Sequence, residues 1–212
     1  IIEKYFQYVK NEENIIFKKN HIEQKKANIN ILPIAFGDLQ KIAFNDLKKF
    51  LQSDFYIIFG ASFIKGELID FLKNKKAINI HMGISPYYRG TDCNFWALHD
   101  NNPHLVGSTI HLLDKNLDSG KILYHAISAN KKDPFEYTMN SVKAAIESIK
   151  CKIENKTLFS HSLMTQDRNL EIRYSKKRDF NEKEISKFFL RENNQESRQN
   201  LDNYLKDLFI LK

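Results

Sequence analysis

Asn79-Ile80-His81-Met82-Gly83-Ile84-Ser85-Pro86-Tyr87-Tyr88-Arg89-Gly90 is a strand end running into an irregular loop. Ala77 to His81 is short, apolar and β-branched, which predicts a strand. Asn79 and His81 are two residues apart, so a strand points both side chains to one side. An amide and an imidazole then share one patch. Gly83 adds no side chain there, and Pro86 and Gly90 fix an irregular path.

Outward from this stretch, strands and helices alternate. Phe55 to Phe59 is a continuous apolar run closed by Gly60, which predicts a strand buried on both faces. Ile29, Ile31 and Ile34 suggest a strand leading to Gly37, with Asp38 capping a helix to about Leu51. Glu67–Leu72 and Thr91–Leu98 read as helices. Val106–Leu113 and Lys121–Ile127 read as strands around the loop Asp114–Gly120. Pro134–Ile153 reads as a long amphipathic helix with proline in its first turn. This order predicts an α/β domain with a Rossmann-like, largely parallel sheet flanked by helices. Ligands of such sheets sit beyond the carboxyl ends of strands, where the quoted loop begins.

The ends of the chain have a different texture. Residues 1–26 are polar and partly helical, with little of their own to bury. Residues 156–180 are mixed, with a strand expected at Leu170–Tyr174, and 181–211 look helical and highly charged. We divide the chain into a domain at 1–155 and a mixed or helical C-terminal appendage at 156–212. The chain begins Ile1-Ile2-Glu3 without a methionine, which suggests a fragment or a processed product.

Composition narrows the function classes. At 42% hydrophobic residues the chain can build a core, which argues against wholesale disorder. No apolar run approaches the roughly 20 residues of a membrane helix, and no signal peptide is evident, so the expected location is the cytoplasm. Cys93 and Cys151 lie at no metal-ligand spacing, so no metal is expected. The net charge of +7 is spread along a lysine-rich chain, and it reads as compositional bias before it reads as a nucleic-acid surface.

A second motif runs Gly107-Ser108-Thr109-Ile110-His111 and on to Leu117-Asp118-Ser119-Gly120. Asp118 alone reads as a turn-former. Together with Asn79 and His81 it suits acyl transfer to an amine: donors for a developing oxyanion and an acceptor for the amine proton. No serine or cysteine nucleophile is required.

These motifs, Asn79-x-His81, Pro86-x-x-Arg89-Gly90, Gly107-x-Thr109-x-His111 and Leu117-Asp118-x-Gly120-x-Ile122, resemble the folate-dependent formyltransferase family over roughly residues 29–128. The resemblance implies 10-formyltetrahydrofolate as donor and 1–155 as the catalytic domain, with its first strands missing or diverged. It implies Asn79, His81 and Asp118 as catalytic residues: Asn79 holding the formyl oxygen, His81 stabilising the tetrahedral intermediate, and Asp118 orienting His81 or taking the amine proton. It places the folate along Gly60, Ala61, Ser62, Phe63 and Ile64 and along Asp114 and Leu117. Phe63 and Ile64 either pack on the pterin or anchor their loop. On the acceptor side it points to Ser85, Tyr87, Tyr88, Arg89 and Gly90, whereas Trp96 reads as core. Many relatives carry His-Pro-Ser-Leu-Leu-Pro where this chain has His81-Met82-Gly83-Ile84-Ser85-Pro86, so the acceptor side differs.

By elimination the expected acceptor is a nucleotide-linked amino sugar, formylated for cell-surface polysaccharide. The early glycine-rich loop of glycinamide ribonucleotide enzymes is not seen, nor is the regulatory domain of formyltetrahydrofolate hydrolases. The tail is shorter than the barrel of methionyl-tRNA enzymes. A methionyl-tRNA formyltransferase, with tRNA as its nucleic-acid partner, and an inactive folate-binding member stay open as alternatives. Relatives acting on sugars are often dimers, and the tail after 155 is a candidate homodimer contact.

Overall fold

The computed structural model describes residues 1–18, 30–116, 118–160, 162–191 and 205–211. Its helices are α1 (Ile2–Phe17), α2 (Phe44–Leu47), α3 (Gly66–Asn74), α4 (Cys93–His99), α5 (Pro134–Glu154) and α6 (Glu182–Leu190). Its strands are β1 (Ile57–Phe59), β2 (Ile78–His81), β3 (Tyr88–Gly90), β4 (Ser108–Leu112), β5 (Ile122–Ser128), β6 (Arg173–Ser175) and β7 (Phe209–Leu211).

The main sheet has the order β1-β2-β4-β5-β7. Four strands run one way and β4 alone runs opposite, so the sheet is mixed but largely parallel. β3 and β6 form a small parallel pair beside it. The antiparallel register of β2 and β4 matters most, because it sets Asn79 opposite His111 and His81 opposite Thr109.

Apolar side chains collect in three clusters. Ile78 and Ile80 of β2 join Ala144, Ala145 and Ile149 of α5. Leu68, Ile69 and Leu72 of α3 pack with Leu47 and Ile64. The third cluster is aromatic: Tyr5, Phe95, Trp96, Phe135 and Phe188 meet between α1, α4, α5 and α6. Trp96 is core, as its sequence context suggests. α5 begins as its sequence predicts, with Pro134 in the first turn and the Asp133 carboxylate accepting the N–H groups of Phe135 and Glu136, both at 2.8 Å.

Several sequence expectations change. Residues 1–17 do have something to bury, because Tyr5 sits at the hub of the aromatic cluster, edge-on to Phe95 and Phe135. Residues 30–36 form no strand, and Ile29 lies outside the described residues. The helix expected to about Leu51 is broken into a 3-10 turn at Asp38–Lys41, α2, and a second 3-10 turn at Lys48–Phe50. β1 is not buried on both faces: it is the edge of the sheet, and Ile57 and Phe59 are 46% and 48% exposed. The strand expected at Leu170–Tyr174 is shorter and sits at Arg173–Ser175, after a 3-10 turn. The tail is not all helix: β7 joins the main sheet parallel to β5, since Phe209 and Leu211 are apolar enough to pack beside α5.

Candidate functional site

β2 ends at His81, and the chain then turns into a wall that is tightly specified. The Thr109 hydroxyl donates to the Gly83 carbonyl at 2.6 Å and accepts the Ser85 N–H at 2.8 Å. The Ser85–Pro86 peptide is cis. The Ser85 carbonyl accepts from His125 Nε2 at 2.9 Å, and His125 Nδ1 accepts the Lys206 N–H at 2.9 Å. Glycines fill the close approaches. A Cβ at Gly83 would meet Cys93, and at 2.9 Å the His81 ring. One at Gly107 would meet Ile84 and Ile127, and one at Gly90 would strike the Ser175 carbonyl. The glycines of the two motifs are therefore packing requirements.

Beyond this wall lies a cavity of about 320 Å³. Asn79, His81 and Asp118 line it together, as do His111, Thr91 and Asn116. Gly60, Ala61, Ser62, Phe63, Ile64 and Asp114 line its other side. Leu117 lies outside the described residues. Both Phe63 and Ile64 line the cavity: Phe63 is 45% exposed at the rim, whereas Ile64 is buried and also packs with α3. Lys73 holds Asp114 at 2.6 Å, and that hydrogen bond leads the causes that keep its carboxyl below the ordinary range.

The acceptor-side residues fall differently. Gly90 lines the cavity, but Ser85, Tyr87, Tyr88 and Arg89 are buried in the wall behind it. Tyr88 Oη donates to Asp100 and accepts from Asn102, and Arg89 pairs with Glu171 at 3.0 Å. The Thr109 clamp and the β3–β6 pairing turn this segment inward.

The polar centre is compact. Asn79 Nδ2 is 3.1 Å from His111 Nε2 and 3.4 Å from Asp118 Oδ1. His111 Nδ1 sits 2.8 Å from the Leu112 carbonyl, so the neutral ring carries its proton there and Nε2 accepts from Asn79. His81 Nε2 reaches the Tyr88 carbonyl at 3.0 Å, and His81 Nδ1 stands 3.5 Å from Asp118 Oδ2. His111 belongs to this constellation, yet the sequence reading placed it only in a strand. Its signal was the Gly107-x-Thr109-x-His111 spacing, which puts Thr109 and His111 on one face of β4, opposite His81 and Asn79.

Asp118 is held in a left-handed conformation at φ 46°, an uncommon state for a residue with a side chain. A Cβ at Gly120, two residues on, would strike the Leu112 carbonyl, so the turn allows no alternative there. Burial pushes the Asp118 carboxyl up, but His111, His81 and Arg89 outweigh it and leave it below the ordinary range. Burial pushes the His81 imidazole down, with Asp118 pulling against it. The pair is thus an ionised carboxylate beside a histidine that resists charge, with a short path between them.

The formyl transferase family model matches residues 39–154, more than half of the chain. The chain belongs to this family. A formyltransferase is a group-transfer enzyme, and the cavity at the end of β2 lies inside the matched segment. Two solved structures share the fold, and a third is similar at a lower score. A 4-N formyltransferase from Francisella tularensis is 22% identical with a TM-score of 0.54, over 82% of this chain and 74% of that one. A sugar N-formyltransferase from a Shewanella species is 20% identical with a TM-score of 0.50, over 65% of this chain and 55% of that one. The formyltransferase PseJ from Anoxybacillus kamchatkensis is 19% identical with a TM-score of 0.47, over 82% of both chains. It was solved with UDP-4,6-dideoxy-4-formamido-L-AltNAc and tetrahydrofolate. Among the described residues no helix is long and apolar enough to cross a membrane, and no group of histidine, cysteine or acidic side chains could hold a metal.

Proposed function

We propose that this formyltransferase moves a formyl group from 10-formyltetrahydrofolate to the primary amine of a nucleotide-linked amino sugar. The observation that carries the reading is the convergence of Asn79, His81, Asp118 and His111 on one cavity, one side of which is apolar and aromatic. The cavity suits part of a flat heterocycle, with Phe59, Phe63 and Ile64 as its apolar contacts. The acceptor class is that of a sugar N-formyltransferase that shares the fold.

In this mechanism the acceptor amine attacks the formyl carbon, and a tetrahedral intermediate forms. Asp118 takes the proton that the amine sheds, because it is the ionised group at the centre. His81 Nδ1 shares that proton across the 3.5 Å contact and places positive charge beside the oxyanion. Both Nδ2 hydrogens of Asn79 have internal acceptors, so donation to the oxyanion requires one to open. The longer contact, to Asp118, is the one that gives way, and protonation of Asp118 weakens it at the moment the oxyanion develops. His111 keeps the other hydrogen and fixes the amide plane. The carbon–nitrogen bond to the folate then breaks, and the proton passes to the departing nitrogen.

The test is a titration of the folded chain with 5-formyltetrahydrofolate, followed by formyl transfer from 10-formyltetrahydrofolate to a panel of nucleotide amino sugars. Saturable folate binding and a formylated sugar support the reading. A folded chain that binds no folate would defeat it.

A further inference from the structure

The cavity's lining after β2 includes Gly90 and Thr91. Here a second element joins it. β6 pairs with β3, Gly90 lies opposite Ser175, and the Thr91 N–H donates to the Ser175 carbonyl at 3.1 Å. Ser175 Oγ also donates to the Thr91 carbonyl. The residues around Ser175 are thereby fixed to the rim of the site.

Their chemistry is distinctive. Tyr174 is 44% exposed, with the Arg89 guanidinium 5.8 Å from its ring centroid. Lys176, Lys177 and Arg178 follow, all exposed. Among the described residues none of the three is held in an ion pair. The nearby Asp179 caps the turn, accepting the Lys176 N–H at 2.7 Å. Lys177 lies close enough to Asp92, the residue after Thr91, to draw its carboxyl down against a larger upward push from burial. Arg89, beneath Tyr174, is close enough to act on Asp118. An exposed aromatic ring and three exposed cations thus flank Ser175, whose strand pairs with the cavity-lining Gly90, and Arg89 below the ring acts on Asp118.

We propose that Tyr174, Lys176, Lys177 and Arg178 form the seat for the nucleoside-diphosphate part of the acceptor, an inference that rests on the acceptor class proposed above. The base lies against Tyr174, and the diphosphate meets the cations. The sugar amine then extends past Gly90 and Thr91 toward Asp118. Ser85, Tyr87 and Tyr88, being buried, have no part in this contact.

The experiment is calorimetric titration of the folded chain with UDP, thymidine diphosphate and phosphate-free uridine, and separately with 5-formyltetrahydrofolate. The same titrations follow on Lys177→Ala/Arg178→Ala, Tyr174→Ala and Tyr174→Phe. We expect diphosphate binding that weakens at least tenfold in the double variant and in Tyr174→Ala, and is largely kept in Tyr174→Phe. The folate dissociation constant stays unchanged throughout. With an active acceptor, KM rises in these variants far more than kcat falls. Equal diphosphate binding in wild type and double variant, or no diphosphate binding to a chain that binds folate, would overturn the seat and leave the donor site standing. Diphosphate binding that depends on these residues without any folate binding would support the seat and count against the donor assignment.

Discussion

The two walls of the cavity are built to opposite rules. The wall after β2 is buried from Gly83 to Arg89, clamped by Thr109 and His125, and closed by glycines at which any Cβ would collide. The wall at residues 60–66 also carries glycines with positive φ, Gly60 at 61° and Gly66 at 65°, but nothing lies within 4 Å of a Cβ at either. The glycines of the first wall are fixed by packing, and those of the second only by backbone conformation. In the function proposed above, the reacting groups adjoin the fixed side, where small displacements cost most, and the donor faces the adaptable side.

The sharpest way to break this contrast is to remove charge from the fixed centre while leaving its shape. Asp118→Asn should lower turnover by roughly 10²–10³, with folate binding kept, as steady-state assays and titration would show. Unchanged turnover would end the assignment of Asp118.

The clamp behind that centre predicts a pH dependence. Burial pushes His125 down to about 4, so its folded imidazole stays neutral where the unfolded one, with its ordinary value of 6.5, takes a proton. The unfolded state therefore binds more protons as pH falls. Stability should be full above about 6.5, decline toward about 4, and lose on the order of 3 kcal/mol across that window. His81 acts in the same direction, and the contribution of Asp118 is lost separately, below the ordinary carboxylate range. Urea midpoints at pH 7 and pH 4.5 measure the loss, and His125→Gln should flatten it.

A matched pair of glycine substitutions compares the walls directly. Gly90→Ala forces a Cβ into the Ser175 carbonyl and should cost about 2 kcal/mol or more by urea unfolding. Gly60→Ala meets only the backbone penalty of a left-handed alanine, about 1 kcal/mol. Equal costs would erase the distinction. The smallest effect is expected at Phe63→Ala, which should weaken folate binding about tenfold and change stability by less than about 0.5 kcal/mol, because the ring is already half exposed.

The sequence carried what is local. The period-2 placement of Asn79 and His81, the turn chemistry around Asp118 and the apolar face of α5 are written in adjacent residues. What it hid is what the tertiary structure decides. His111 becomes part of the centre only because β4 runs antiparallel to β2 in one register. Phe55–Phe59 has the composition of a central strand, yet its place at the sheet edge leaves it exposed, and composition does not encode strand order. Tyr87, Tyr88 and Arg89 follow β2 in the chain, and a loop position suggested contact with the acceptor. The pairing of β3 with β6, whose residues lie far along the chain, turned them inward instead.

His125 binds Ser85 across 40 residues and Lys206 across 81. The clamp on the wall after β2 is therefore among the most non-local contacts of the described residues, and forming it means closing two large loops before either contributes stability. Such topology slows folding, and contacts of this kind are ordinarily completed late. The site should accordingly mature after the sheet has formed: during refolding, folate binding should recover more slowly than β-sheet circular dichroism. A chain that has collapsed is not yet a chain with an active site.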